Sequence, residues 1–275
     1  MSSDLSPLAG AAVGLDHIGI VGADLDALAQ AFEDLGFHLT PRAAHAGGRT
    51  ANRCAMLRDG GYLELMATVP GQSSTTLDRF LACGPGAHIL ALEVADEAAA
   101  LARLRRAGVD AGEVSVTERR VDQVAPDGTS QGPLARFALV LPPDPPPGPP
   151  EEHGLGRVLL IRHLTPGLLW RPDAVTHPNG ARALTEAVYA TDSPARTMAT
   201  LSRLAGVPAV PDPLGGYRLP LARGCVRVLP RAAAAALFPG AVGPPLLGLT
   251  LAGEGGGERV VHAGGVALRW SDPPP

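Results

Sequence analysis

Leu15-Asp16-His17-Ile18-Gly19-Ile20-Val21 opens, and Gly61-Tyr62-Leu63-Glu64-Leu65-Met66 closes, the stretch on which the fold depends, residues 14–68. Each run is short and apolar, and each carries one residue of a metal-ligating type, His17 in the first and Glu64 in the last. Runs of this length read as buried strands. Between them Asp24 reads as a helix N-cap, Leu25, Leu28, Ala29, Phe32 and Leu35 follow at helical spacing, and Gly36 reads as the stop. Residues 37–40 and 50–57 read as two further strands, separated by the turn-rich His45-Ala46-Gly47-Gly48-Arg49, and Arg58-Asp59-Gly60-Gly61 signals a hairpin. The stretch is therefore a βαβββ unit.

The pattern then repeats. After a short helix at residues 75–82, residues 88–95 read as a strand, and Asp96 caps a helix that stops at Gly108. Cap and stop lie twelve positions apart in both copies, Asp24 to Gly36 and Asp96 to Gly108. Residues 114–121, 134–141 and 156–164 read as the remaining strands of the second unit. Seven prolines within residues 142–150 cannot sit inside a sheet and read as a stiff polyproline-like loop. A third, fair copy begins near Leu184, with Asp192-Ser193-Pro194 as helix start, a helix to Gly206, and strands at 217–221 and 225–229. A fourth is reduced to residues 246–252 and 260–270. Residues 1–12 read as a loose leader and Pro273-Pro274-Pro275 as a frayed tail.

Composition narrows the chemistry. The 275 residues are 45% hydrophobic and 18% charged, with a net charge of −4, which describes a globular chain able to bury a large core. Such a balance argues against nucleic acid as a partner. No apolar run approaches the roughly 18 residues of a membrane span, and no signal peptide is recognisable, so the cytoplasm is the expected location. All 23 basic residues are arginine, which excludes Schiff-base lysines and a P-loop. Cys54, Cys83 and Cys225 form no C-x-x-C pair and read as small buried hydrophobes. There is no G-x-S-x-G elbow, no G-x-G-x-x-G after a strand and no H-E-x-x-H.

These features together resemble the vicinal oxygen chelate superfamily, and within it the bacterial glyoxalase-like domain proteins. The residues that carry the resemblance are Leu15-Asp16-His17, Thr50-Ala51-Asn52 after the loop containing His45, Tyr62-Leu63-Glu64-Leu65, and the later His163-Leu164-Thr165-Pro166, Trp170-Arg171-Pro172 and His177-Pro178-Asn179-Gly180. Gly167 stands where relatives often carry an acid. The resemblance implies an α+β fold of paired βαβββ modules, about four repeats with the C-terminal ones degenerate. Residues 13–180 would form a glyoxalase-like domain of two modules (14–68 and 86–164), and residues 181–272 the degenerate modules. It further implies a cleft between paired modules, in which a divalent metal chelates two adjacent oxygens of a substrate.

On that basis His17, Glu64, His88 and His163 are the expected ligands of a divalent metal, Zn²⁺, Fe²⁺, Mn²⁺ or Ni²⁺, and Glu64 and His163 the expected proton-moving groups. His88 opens the second module as His17 opens the first. However, His17 precedes its cap by seven residues and His88 by eight, a shift that turns a strand side chain to the other face. Only one of Arg162 and His163 can face the cleft; Arg162 there would clamp an anionic substrate. His45, Thr50 and Asn52 are expected at the cleft edge, with Trp170 and His177 as further lining, while Asn179-Gly180 builds a turn. Glu93 reads as an arginine partner, and His38, His153 and His262 as surface or core residues. The expected function is a metal-dependent lyase, isomerase or oxygenase acting on a small carbonyl or hydroxylated substrate. A metal-free small-molecule binding protein of the same fold is the alternative, and assembly as a homodimer stays open.

Overall fold

A computed structural model describes residues 9–45, 47–121, 132–144, 155–254 and 257–271. His153, most of the leader, most of the proline-rich segment and the terminal prolines lie outside the described residues. The first module runs β1 (Ala12–Val21), α1 (Leu25–Asp34), β2 (Ala43–Ala44), β3 (Thr50–Met56) and β4 (Tyr62–Thr68). Helix α2 (Thr75–Leu81) leads to the second: β5 (Gly86–Val94), α3 (Glu97–Arg106), β6 (Ser115–Arg120), β7 (Leu134–Val140) and β8 (Arg157–His163). The third comprises β9 (Ala181–Thr191), α4 (Pro194–Ala205), β10 (Val210–Pro211), β11 (Tyr217–Pro220) and β12 (Cys225–Pro230). Helix α5 (Arg231–Leu237) then precedes β13 (Leu246–Gly253), β14 (Arg259–Ala263) and β15 (Val266–Ser271), a module with no helix after its first strand among the described residues.

The helix starts follow from the caps. The Asp24 carboxylate accepts from the backbone N–H of Asp26 and Ala27, and Asp96 accepts from Ala99. Caps of this kind contribute about 1 kcal/mol each. Residues 37–40, expected as a strand, form none. Phe37 N–H bonds back to Phe32 O, and Thr40 spends its N–H on Cys54 O and its hydroxyl on Cys54 N–H, so the segment runs beside β3 without a ladder. The short β2 pairs with β3 in its place, Ala43 opposite Asn52.

All these strands join one 15-stranded sheet made of two similar halves. In the first half β1 pairs in parallel with β4 and antiparallel with β5, which pairs in parallel with β8. In the second, β9 pairs in parallel with β12 and antiparallel with β13, which pairs in parallel with β15. The halves meet at Leu246↔Ala87 and at a bridge from Gly14 to Arg223. The main core lies where Leu28 and Phe32 of α1, Leu101 and Leu104 of α3 and Leu201 of α4 pack with strand residues from both halves.

The other faces of the two halves differ. The second half fills its own hollow: Phe238, Ala234, Val188, Leu229 and Leu247 form a closed cluster. Phe238 rests on bare backbone at Gly248, where a Cβ would come within 2.6 Å of the ring. Beside this plug Arg227 binds Asp212 side-on through Nε and Nη2 (2.8 and 2.9 Å) and reaches Glu186, which also accepts from Thr250. These polar groups satisfy one another. The first half leaves its hollow open, and that hollow is the cleft.

Candidate active site

The cleft has a volume of about 340 Å³ and is lined from every strand of the first half except β2. The first module supplies polar groups: His17 from β1, Thr50 and Asn52 from β3, Tyr62 and Glu64 from β4, and His45 from the loop before β3. The second supplies an apolar wall of Ile89, Phe137, Leu139, Leu159 and Ile161, with Arg119 from β6 and Arg157 from β8 as its cations.

His17 is held from behind. The register between β1 and β5 slips by one residue, Leu15 opposing Leu92 and His17 opposing Ala91, which leaves Asp16 as the extra residue of a bulge. Strict alternation would send Asp16 and His17 to opposite faces. The bulge lets them meet, and Asp16 Oδ1 lies 2.6 Å from His17 Nδ1. Asp16 Oδ2 lies 3.0 Å from His163 Nε2, so one fully buried carboxylate joins two imidazoles. Burial alone would raise the Asp16 carboxyl, but hydrogen bonds from His163 and His17 outweigh it and bring it down to about 2. The His17 ring stacks on Tyr62, with centroids 4.4 Å apart.

Glu64 is the hub on the cleft side. Its Oε2 lies 3.5 Å from His17 Nε2, and its Oε1 lies 3.2 Å from His45 Nε2 and accepts from Asn52 Nδ2. Burial opposes the charge on Glu64. The hydrogen bond from His45, with His45, His17 and Arg119 as neighbouring charges, overcomes it and holds the carboxyl well below its usual range. His45 completes the arrangement: its Nδ1 lies 2.9 Å from Thr50 Oγ1 and its side chain is 33% exposed, whereas the Glu64 side chain is 11% exposed. Beside the ionised carboxylate His45 Nε2 carries a proton, and Nδ1 faces the Thr50 hydroxyl.

The remaining expected site residues sit elsewhere. His88 is absent from the cleft lining, where its neighbour Ile89 stands; its Nε2–H donates to Gly84 O at 2.8 Å and its ring stacks on Phe80. The one-residue shift in the repeat is the physical reason. His163 lies behind the cleft, packed edge-on against Phe137 and Trp170, and lines a second cavity of about 300 Å³ together with Asp16, Arg162 and Trp170. Arg162 points away to Glu97, 3.0 Å distant. His177 accepts from His38 N–H and donates to Met56 O, a fixed tautomer that ties the segment after the second module to β3. Asn179 builds a turn, accepting from Ala181 N–H, and Glu93 pairs with Arg223 at 2.6 Å.

This distribution does not fit the expected metal centre. Among the described residues, no three His, Cys, Asp or Glu side chains are grouped to hold an ion. Oε1 of Glu64 is committed to His45 and Asn52, and the second module faces the cleft with Ile89, Leu159 and Ile161 where donors are required. Three further residues complete the lining and its support, none of them given a role from the sequence. Asp16 adjoins His17 in the chain, but alternation hides their contact; Tyr62 stacks on His17; and Arg119 differs in nothing from its neighbour Arg120 until β6 is placed. Burial works against the Arg119 charge, but Cys54, Tyr62 and Glu64 more than offset it and hold the guanidinium above its ordinary value.

The fold recurs in known structures. A hypothetical protein from Staphylococcus aureus superposes with a TM-score of 0.69 over 95% of this chain and 100% of its own, at 12% identity. A xylose isomerase-like TIM barrel/4-hydroxyphenylpyruvate dioxygenase fusion protein gives a TM-score of 0.52 over 90% of this chain and 38% of its own, at 16% identity. Methylmalonyl-CoA epimerase from Mycobacterium tuberculosis is 27% identical over 56% of this chain and 91% of its own, with a TM-score of 0.38, too partial a likeness to carry a functional argument. No curated protein matches the chain in sequence. The family model described as "Glyoxalase-like domain" matches residues 15–205, from β1 through α4. With that match on a scaffold of paired βαβββ modules, the chain belongs to the glyoxalase-like domain family and so to the vicinal oxygen chelate superfamily.

Proposed function

We propose that the chain is an enzyme that moves a proton on a small carbonyl- or hydroxyl-bearing substrate in the cleft, with His45 and Glu64 as the working pair. The observation that carries this reading is the His45 ring, part-exposed to the cleft, with Nε2 on the buried ionised Glu64 and Nδ1 on the Thr50 hydroxyl. An imidazole anchored on a buried carboxylate is oriented as a general base and stabilised once protonated. In this reading Thr50 relays the proton: its hydroxyl hydrogen passes to His45 Nδ1 as its Oγ1 takes the substrate proton. The Thr50 hydroxyl turns from donor to acceptor, and Glu64 balances the new positive charge at Nε2. Return of the proton to a neighbouring atom of the substrate makes the reaction an isomerisation; its delivery to a departing hydroxyl, as that carbon–oxygen bond breaks, makes it an elimination. Asp16 fixes the orientation of the His17 ring beside Glu64, and none of the described residues from 181 to 271 lines the cleft. No step passes through a metal.

The test is deuterium uptake from D₂O at the carbon next to the carbonyl in a panel of small carbonyl compounds, followed by proton NMR. Glu64→Gln and His45→Asn should slow uptake by about 10²–10⁴-fold, the usual contribution of a positioned acid–base group. Uptake at the parental rate in both variants overturns the reading. The apolar wall favours a second one, a protein that binds a small molecule without transforming it; saturable binding by the parent protein with no uptake supports that outcome.

A further inference from the structure

Several arginines packed into this fold engage the Nε side of the guanidinium together with a terminal nitrogen. Arg157 binds Asp144 through Nε and Nη2 at 2.8 and 2.6 Å. Arg227 does the same with Asp212, and Arg103 spends its three nitrogens on the carbonyls of Gly10, Arg203 and Leu204. Arg119 is different. Among the described residues only its Nη1 is engaged, with Asn52 Oδ1 at 3.3 Å and Cys54 Sγ at 3.5 Å, and its buried Nε has no hydrogen-bond partner. The guanidinium carbon lies 5.6 Å from the centroid of the Phe137 ring. An aromatic face at that range steadies a cation and leaves its in-plane N–H groups available.

We infer that Arg119 is the carboxylate-recognising residue of the cleft, and that the substrate is a carboxylic acid with an apolar body. The Nε and Nη2 edge is the one that receives a planar oxyanion side-on through two parallel hydrogen bonds. A buried donor without a partner in the chain costs free energy, and such a cost persists where a ligand supplies the acceptor. Asn52 accounts for the coexistence of this site with Glu64. It donates to Glu64 and accepts from Arg119, which sets the two charges an amide apart and keeps a bound carboxylate off the acid. Glu118, the other acid in the lining, is engaged by Arg136 at 2.9 Å. Ile89, Leu159 and Ile161 then receive the apolar body, in a cleft at the lower end of the usual range for small-molecule sites.

This inference rests on the cleft being the substrate site of the proposed reaction, and the two can fail separately. Hexanoate and hexanamide, identical in shape but not in charge, are titrated calorimetrically into the full chain and into Arg119→Met, Arg119→Lys and Glu64→Gln, each first checked for cooperative unfolding. The parent should prefer hexanoate by at least about tenfold, from a charge-assisted bidentate pair. Arg119→Met should abolish the preference, Arg119→Lys retain part of it, and Glu64→Gln keep it in full while losing proton exchange. Equal binding of the two probes by the parent, or a preference that survives Arg119→Met, overturns the inference and leaves the proton-transfer reading standing. Binding of neither probe overturns it and removes the substrate site with it.

Discussion

Replacing Asp16 by asparagine isolates the buried carboxylate that joins His17 to His163. In the folded chain this carboxyl sits at about 2, against 3.8 for the free group. At about 1.4 kcal/mol per pK unit, that depression contributes on the order of 2 kcal/mol to stability. Because the folded value is the lower one, the contribution is complete above about pH 4–5 and is lost as pH falls through 2, with roughly half gone at pH 3. The Asp16→Asn variant would carry no such dependence, and its new amide would set an N–H against one of the two imidazole donors. Losing a buried hydrogen bond to a charged group in this way costs about 1.5–3 kcal/mol at neutral pH. Urea unfolding of parent and Asp16→Asn at pH 7, 5, 4 and 3, with the slope of the transition unchanged, measures the difference directly. The gap between the two should narrow by on the order of 1 kcal/mol between pH 5 and pH 3. A gap that stays constant over that range, or a variant as stable as the parent at pH 7, would refute the assignment of Asp16 as an ionised hub.

Two other perturbations separate scaffold from site. His88→Leu removes one hydrogen bond to Gly84 and should lower stability by about 1 kcal/mol while leaving hexanoate binding unchanged; loss of ligand binding would return His88 to the site. Phe238→Ala empties the plug of the second half and should cost about 3–5 kcal/mol by urea denaturation, again with cleft binding retained; a stability unchanged from the parent would show that the plug is not part of the cooperative core.

Much of the scaffold was legible because its signals are local. Asp24 and Asp96 cap the helices expected of them, and β1, β4, β5 and β8 fall on the expected apolar runs. The paired-module fold follows from that repetition and from the resemblance it supports. The site was legible only in its first half, where His17, His45, Thr50, Asn52 and Glu64 share one cleft. What escaped depends on register. A slip of one residue in the β1–β5 pairing turns Asp16 toward His17, and no composition or spacing rule announces a bulge. The second module was read as a donor of ligands by analogy with the first, yet its β5 presents Ile89 to the cleft and its β8 presents Leu159 and Ile161. Arg162 points away to Glu97, and His163, on the Ile161 face of β8, lies past the end of the lining against Phe137 and Trp170; Arg119, on a strand with no distinguishing pattern, supplies the cation instead.

The contact of Phe238 with the bare backbone at Gly248 has a consequence for how such a chain saturates. A duplicated scaffold offers two concave surfaces, and two equivalent sites on one polypeptide could influence one another through the shared sheet. Here one concavity is closed by the chain's own aromatic ring, so among the described residues each polypeptide presents a single cleft of this kind. On the proposed reading, occupancy within one chain would follow a simple hyperbola, and any sigmoidal response would have to arise between chains.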